Sequence, residues 1–422
     1  MNDTKTRAFP AGVSAARAQE LRLPSLLVRR QLKMSRDAHA YVRGSTELFY
    51  RWLSNNLGIV PQGPRIWICG DAHVGNLGPI AAVDARVEVE VRDLDQTTYG
   101  NPANDLIRLG LSLAMAARSS DLPGVVTARL IEELTSGYLE AILDPSAEAT
   151  PHGSASVRFV VREALRRRWR HLRRERIGRK SKFPLGDRFL PLAKEERDEV
   201  ARFLDKERVR KLVTRLDSRS DDARVRVMDA AFWVKGCSSL GLWRCAAFVE
   251  VRARRDSKAD YALLDLKEAR RPLAPLEPGL NVPAHQGERV VQGAKALSPS
   301  LGGRILSGTV LGREIFVREL MPQDLKVELE SLDDVEARAI ARALAKIVGR
   351  AHARQLDPTA RAAWGAELKR AATRSLEAPG WLWQTVVELI GVHERAYLEH
   401  CRRYALAQEK AREDGRDISQ PP

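Results

Sequence analysis

Two short tracts early in the chain hold side chains whose types and spacing suit metal and phosphate chemistry. Arg65 to Leu109 reads R-I-W-I-C-G-D-A-H-V-G-N-L-G-P-I and then V-E-V-E-V-R-D-L-D-Q-T-T-Y-G-N-P-A-N-D-L-I-R-L. Asp71 is followed by His73 two residues on and by Asn76 five residues on, while Asp93 and Asp95 end the second tract. Carboxylate and amide oxygens are hard donors that suit Mg²⁺ shared with a substrate phosphate. Phosphoryl transfer needs one acid to take a proton from a hydroxyl, and a second acid with an amide to hold metal on the phosphates. Asp and Asn are also common turn residues, so a capped structural loop is the competing account. Two successive strands that both end in acids weigh toward the metal-phosphate account.

Those acids need elements that hold them still. Ile66-Trp67-Ile68-Cys69 is an apolar run and Val87 to Val91 alternates, so both read as strands. Gly70, Gly75 and Gly78 permit tight turns and close approach of a ligand. Pro102 to Arg118 reads as a helix with Asp105 in its first turn, where the dipole favours a carboxylate. A second amphipathic helix covers Leu122 to Leu143. Upstream, Leu21 to Leu57 reads as two helices broken near Ser35-Arg36-Asp37. Arg43-Gly44 lies between them or at a helix start. Arg43 is a surface arginine or a phosphate contact, since the guanidinium forks onto phosphate oxygens.

A second group of candidates lies far downstream. Residues Val200 to Asp229 look helical, and then strand-like runs begin: Val234 to Val251 and Tyr261 to Ala269, joined by a polar turn. Gly236, Ser238, Ser239 and Gly241 form a Gly/Ser turn that can present backbone N–H groups to a phosphate. Lys267, anchored on the next strand, can reach phosphates as a fixed charge. The spacing is G-x-x-x-x-G, and Leu242-Trp243 stands where a Walker motif requires Lys-Ser/Thr. A helix near Ala284 to Leu297 follows, then two strands within Arg304 to Leu320. A break at Met321 to Asp324 stands in the place of a hinge. Ser331 to Arg354 is a helix with Ser331 or Asp333 as N-cap and Glu336 in its first turn. Further helices fill 360 to 411.

The D-x-H-x-x-N spacing of Asp71, His73 and Asn76 resembles the catalytic loop of aminoglycoside and choline-type phosphotransferases, small-molecule relatives of protein kinases. Arg92-Asp93-Leu94-Asp95 and the helix from Asn101 are similar to their metal-binding segment. More closely, the Y-V-R-G tract (Tyr41 to Gly44), the C-G-D-A-H-V-G-N-L-G tract and the D-L-K-E-A tract resemble the bacterial domain-of-unknown-function 2252 family, which is placed in the kinase-like superfamily. The resemblance implies ATP and Mg²⁺ as cofactors. Asp71 would then be the base or hydroxyl-orienting group. Asn76 and Asp93, joined by Asp95, would hold Mg²⁺. His73 would contact substrate or brace the loop, with bracing favoured. Asp105 would brace the loop from below. Gly236, Ser238, Ser239 and Gly241 with Lys267 would hold ATP phosphates, and Glu288 would pair with Lys267. In kinases the glycine loop and lysine come first and the base and metal acid later. Here that order is reversed, so the implied fold is circularly permuted.

The expected architecture is therefore α+β and two-lobed, kinase-like and permuted. A small antiparallel sheet lobe spans 231–330. A larger helical lobe is assembled from 1–60, 61–230 and 331–422. The expected activity is ATP- and Mg²⁺-dependent phosphoryl transfer to a hydroxyl of a small molecule; nucleotidyl transfer is one alternative. Composition bounds these choices. The 422 residues carry a net charge of +15 with 30% charged and 44% hydrophobic residues, which favours anionic partners without choosing among them. Arg158 to Lys182 is the densest basic run. It is a solvated helix face, a collar for an anionic substrate, or a nucleic-acid surface with Trp169 as its stacking residue; nucleic-acid binding without catalysis is thus the second alternative. The four cysteines show no C-x-x-C pair, which excludes a zinc ribbon and a disulfide framework and points to the cytoplasm. No run is long and apolar enough to span a bilayer, and no signal peptide is visible.

Overall fold

The computed structural model describes residues 9–146, 154–178, 181–253, 259–275, 282–327, 333–372 and 380–413. The chain opens with helices α1 (Ala15–Met34), α2 (Ala38–Gly44) and α3 (Thr46–Ser54). Ser14 caps α1 and Asp37 caps α2, each through its side chain. The expected break at Ser35 to Asp37 is present. A further break at Ser45 makes three helices of the expected two. Strand β1 (Ile66–Ile68) pairs with β4 (Thr98–Gly100), and between them β2 (Leu77–Ala81) and β3 (Val87–Val91) form an antiparallel ribbon. Helices α4 (Ala103–Ser119) and α5 (Gly124–Leu143) follow.

The basic run divides into α6 (Ala155–Arg166) and α7 (Trp169–Arg176), separated by extended residues Arg167 and Arg168. Phe159 and Leu165 of α6 are 58% and 52% exposed. Then come β5 (Phe189–Leu190), α8 (Lys194–Leu204), α9 (Glu207–Thr214) and β6 (Arg224–Trp233). The expectation of helix up to Asp229 is thus corrected: R-V-R-V-M-D-A-A-F-W pairs along β7 (Arg244–Arg252) instead. Strand β8 (Asp260–Glu268), α10 (Gln286–Leu297), α11 (Pro299–Gly302), β9 (Ile305–Val310), β10 (Arg313–Leu320), α12 (Asp334–Ala353), α13 (Pro358–Ala372) and α14 (Trp381–Glu413) complete the order. Asp333 caps α12; the other proposed cap, Ser331, lies outside the described residues.

The fold is α+β. Its largest sheet is six-stranded and antiparallel, in the order β5-β6-β7-β8-β10-β9. The sheet unit is larger than the expected 231–330. It takes in β5 and β6, and α8 and α9 cover one face with Leu26 of α1. The alternation of β7 and β8 explains the two faces. Cys245, Ala247, Val249, Leu264 and Leu266 point into that covered core. Ala246, Phe248 and Leu263 point the other way, against Leu172 of α7. On this second face the same alternation continues to Arg244, Asp265 and Lys267, where α7 no longer covers the sheet. A separate core unites α4, α5, α12 and α14 with the β2–β3 ribbon. Residues from both sides line the cleft between the sheet and the helices.

Candidate functional site

The cleft has a volume of about 650 Å³ and gathers residues from distant parts of the chain. One set stands at the end of the β2–β3 ribbon. Leu77 pairs with Val91, so Asn76, just before β2, and Asp93, just after β3, leave the ribbon at the same end. A backbone bond from Arg92 N to Asn76 O at 2.8 Å extends the pairing. Asp71 sits between β1 and the ribbon. Asp71, His73, Asn76, Asp93 and Asp95 all line the cleft.

The turn that carries Asp71 is held from beneath. Asp105 accepts from Cys69 N at 2.7 Å and Gly70 N at 2.9 Å. His352 Nε2 lies 3.1 Å from Asp105 Oδ2, and its Nδ1 lies 2.9 Å from the Tyr138 hydroxyl, which accepts from Trp364 Nε1. A carboxylate can only accept, so His352 carries its proton on Nε2. This is the bracing position expected for Asp105. Gly70 has φ +75°, and a β-carbon there would lie 2.2 Å from the Gln96 carbonyl oxygen, so only glycine fits.

Asp71 itself is fixed by Arg108, whose Nε donates to Oδ1 at 2.8 Å. The second oxygen, Oδ2, lies 3.9 Å from His73 Nε2. Burial pushes the His73 imidazole down to about 3, against the pull of Asp71, so the ring is neutral. Its Nδ1 is buried without a hydrogen-bond partner. Arg108 was not among the sequence candidates. Its signal lay in the helix period: Asp105, Arg108 and Ser112 share one face of α4, and each reaches the Cys69–Val74 turn or the Asp71 it carries.

The second set comes from the sheet. Lys267 on β8 lies 3.5 Å from Asp93 Oδ1 and also pairs with Asp95. The lysine is buried, while the Asp93 side chain is 45% exposed to the cleft. Desolvation disfavours the Asp93 charge, but the cations of Lys267, Arg318 and Arg244 outweigh it and hold the carboxyl below its usual range. Burial lowers the Lys267 ammonium, and Asp93 opposes that shift. Arg244 forks onto Asp265 at 2.8 and 2.5 Å, with Lys235 and Arg318 close by. Gly236, Ser238 and Ser239 also line the cleft; Gly241 does not. Gly236 has φ +97°, and its carbonyl accepts from Lys33 of α1. Gly241 passes its carbonyl to Gln19 of the same helix, so α1 braces the loop from outside.

Glu288 is not the partner of Lys267. Its carboxylate accepts from Ser307 on β9 at 2.8 Å, and Lys267 is already matched by Asp93 and Asp95. The residue that matters on α10 is the next one. Arg289, fully buried, donates to the carbonyls of Asp95 and Arg270 at 2.8 Å each, and to that of Thr97. Burial pushes its guanidinium down to about 10. It pins the backbone of the Asp93–Asp95 segment from the side opposite the cleft. One step in α10 separates the two roles, and the sequence offered no reason to prefer the arginine.

Trp169 is not available for base stacking. Its ring lies parallel to Phe248, with centroids 6.2 Å apart, and close to Tyr261. The exposed residues of α7 are Arg170, Arg173, Arg174 and Glu175, with no aromatic among them, which is thin material for nucleic-acid recognition.

Among the described residues no group of three or more His, Cys, Asp and Glu is placed to hold a metal by itself. A magnesium nucleotide does not require one, since Mg²⁺ keeps waters and takes one or two carboxylates beside phosphate oxygens. The donors present fit that case. Asp93 faces the cleft, Asp95 Oδ1 is buried without a partner, and Asn76 uses its Nδ2 on Asp71 O, leaving Oδ1 free.

An α+β protein with an acid-and-lysine cleft between a sheet and a helical body is thus the class that fold and site define. Residues 22–403 match the family described as "Uncharacterized protein conserved in bacteria (DUF2252)", and the chain belongs to that family. No curated protein and no solved structure matches it. No helix among the described residues is long and apolar enough to cross a membrane, and the four cysteines are free.

Proposed function

We infer that the protein is an ATP- and Mg²⁺-dependent phosphotransferase acting on a hydroxyl of a small molecule, on a kinase-like fold with its motif order permuted. The observation that carries this reading is the meeting of Lys267, from the sheet, with Asp93 and Asp95, from the helical body, beside Asp71 and Asn76. Distant segments converge on one cleft with the groups that phosphoryl transfer needs.

In this mechanism Asp71 orients the acceptor hydroxyl and takes its proton on Oδ2, since Oδ1 is held by Arg108. Lys267 turns from Asp93 and Asp95 toward the nucleotide phosphates when these enter. Asp93, Asn76 and Asp95 would hold Mg²⁺, which when bound would screen the phosphate charge. The backbone of the Gly236–Ser239 turn closes over the phosphates, steadied by Lys33. His73, neutral and buried, keeps the turn in shape. Free cysteines fit residence in the reducing cytosol.

The test uses ATP labelled at the γ- or α-phosphate, with Mg²⁺ and a pool of small hydroxyl compounds. Label transferred from the γ-position supports the reading. Transfer from the α-position replaces it with nucleotidyl transfer, and transfer from neither position removes catalysis.

A further inference from the structure

The cleft holds more positive charge than a nucleotide requires. Nine Lys and Arg side chains line it against five Asp. Part of that charge is already matched: Arg244, Lys235 and Arg318 face Asp265, while the acids Asp93, Asp95 and Asp71 are met by Lys267 and Arg108 from behind the lining. Arg176 of α7 has no carboxylate partner among the described residues, and a denser group of such cations stands on the wall formed by the end of α1, the bend after it and α2. Lys33, Arg36 and Arg43 stand there. Lys33 donates to the Gly236 carbonyl and meets no carboxylate. Asp37, the acid of this wall, is turned to the start of α2 and accepts from Ala40 N at 2.6 Å. Burial, then the Arg43 charge, lowers His39 to about 4, so it is neutral at pH 7.

Among the described residues Arg43 and Arg36 make no hydrogen bond or ion pair. Arg43 lies against the turn that carries Asp71. A β-carbon on Gly75 would sit 2.9 Å from its Nη2 and 3.3 Å from His73 Cε1. Arg43 is half-buried, and its guanidinium, with no counter-charge among the described residues, is available to a ligand's oxygens. Its planar fork matches a phosphate or carboxylate.

We propose that this wall is an oxyanion subsite for the acceptor: the substrate carries a phosphate or carboxylate that seats on Arg43 and Arg36 and places its hydroxyl at Asp71. The hydroxyl half of this statement rests on the phosphotransferase reading; the anion half does not. A cationic acceptor, such as an amino sugar or a quaternary amine, would meet three like charges here and is disfavoured.

The test is a calorimetric titration of the full chain with glycerol 3-phosphate, glycerate, glycerol and choline, with and without Mg²⁺ and a non-hydrolysable ATP analogue. Glycerol 3-phosphate, glycerate or both bind at least about tenfold more tightly than glycerol or choline, and less tightly as salt rises. Preference between the two distinguishes phosphate from carboxylate as the recognised group. Arg43→Gln weakens the anion at least about tenfold and leaves the analogue's affinity within about twofold; Arg43→Lys falls between. Arg43 has no hydrogen-bond or ion-pair partner to lose among the described residues, so circular dichroism of the variant is unchanged. Equal binding of glycerol or choline, no binding of either anion, or unchanged anion affinity in Arg43→Gln overturns the proposal. If the analogue fails to bind, the nucleotide reading fails, and the nucleotide-free titration still decides the subsite.

Discussion

Lys267 Nζ lies 3.5 Å from Asp93 Oδ1, joining β8, one of the two central strands of the large sheet, to the end of the β2–β3 ribbon. Asp93 lines the cleft and the buried lysine stands behind it. Lys267→Ala removes the sheet's charge from behind the carboxylate. Its partners are reachable by water, since Asp93 is 45% exposed, so the fold survives. Turnover of ATP falls at least about a hundredfold, with weaker nucleotide binding. Steady-state kinetics across ATP concentrations checks this, and unchanged kinetics would detach Lys267 from the nucleotide.

Asp71→Asn separates chemistry from binding. The amide oxygen can still accept from Arg108, so the buried guanidinium keeps a partner. The proton acceptor is gone. Turnover drops by about 10² to 10⁴ while nucleotide affinity stays the same. Comparable turnover in parent and variant would assign Asp71 to structure.

Asp105 acts on stability. Asp105→Ala strips the acceptor from Cys69 N, Gly70 N and His352 at once, all of them buried. The loss is about 3–5 kcal/mol in urea unfolding. Gly70→Ala forces a β-carbon against the Gln96 carbonyl at positive φ and destabilises by at least about 2 kcal/mol. A midpoint within error of the parent for either variant would contradict the bracing role.

The pH dependence follows from buried imidazoles. His393 and His39 are pushed down to about 4, and His73 to about 3, chiefly by burial. Unfolded, each binds a proton below about 6.5. The unfolded chain therefore holds more protons between pH 6.5 and 4, and stability falls as pH drops through that window. Glu319 opposes this. Burial raises it to about 7, so its share of stability is present below its unfolded value and fades as pH rises toward 7. Burial raises Glu90 in the same direction, and the three histidines outweigh the two carboxyls. His393→Leu, which also removes a buried Nε2 without a partner, flattens the acid limb of a urea-midpoint profile. A profile as steep as the parent's would show that His393 titrates normally in the fold.

Much of this was legible in the residues because it rests on local pattern. Asp71, Asn76 and Asp93 follow apolar or alternating runs, and the break before Asp37 carries its own cap. What escaped depends on pairing between distant segments. Strand β2, L-G-P-I-A, has a Gly and a Pro inside it and reads as loop until β3 is laid beside it. Strand β6 alternates, but arginines fill its exposed positions, so it resembled the charged helices before it. A lysine invites an acid, so the sequence points to Glu288 on α10; Asp95, from the other side of the cleft, meets Lys267 instead. Arg108 was hidden in an apolar helix, where only the Asp105 spacing marked its face.

The most direct test of the central claim is calorimetric titration of ATP into the parent chain, Lys267→Ala and Asp93→Asn, each with and without Mg²⁺. The account predicts binding by the parent that needs magnesium, loss of that requirement in Asp93→Asn, and weaker binding at any magnesium concentration in Lys267→Ala. Binding that ignores magnesium in the parent, or identical isotherms for all three chains, would contradict it.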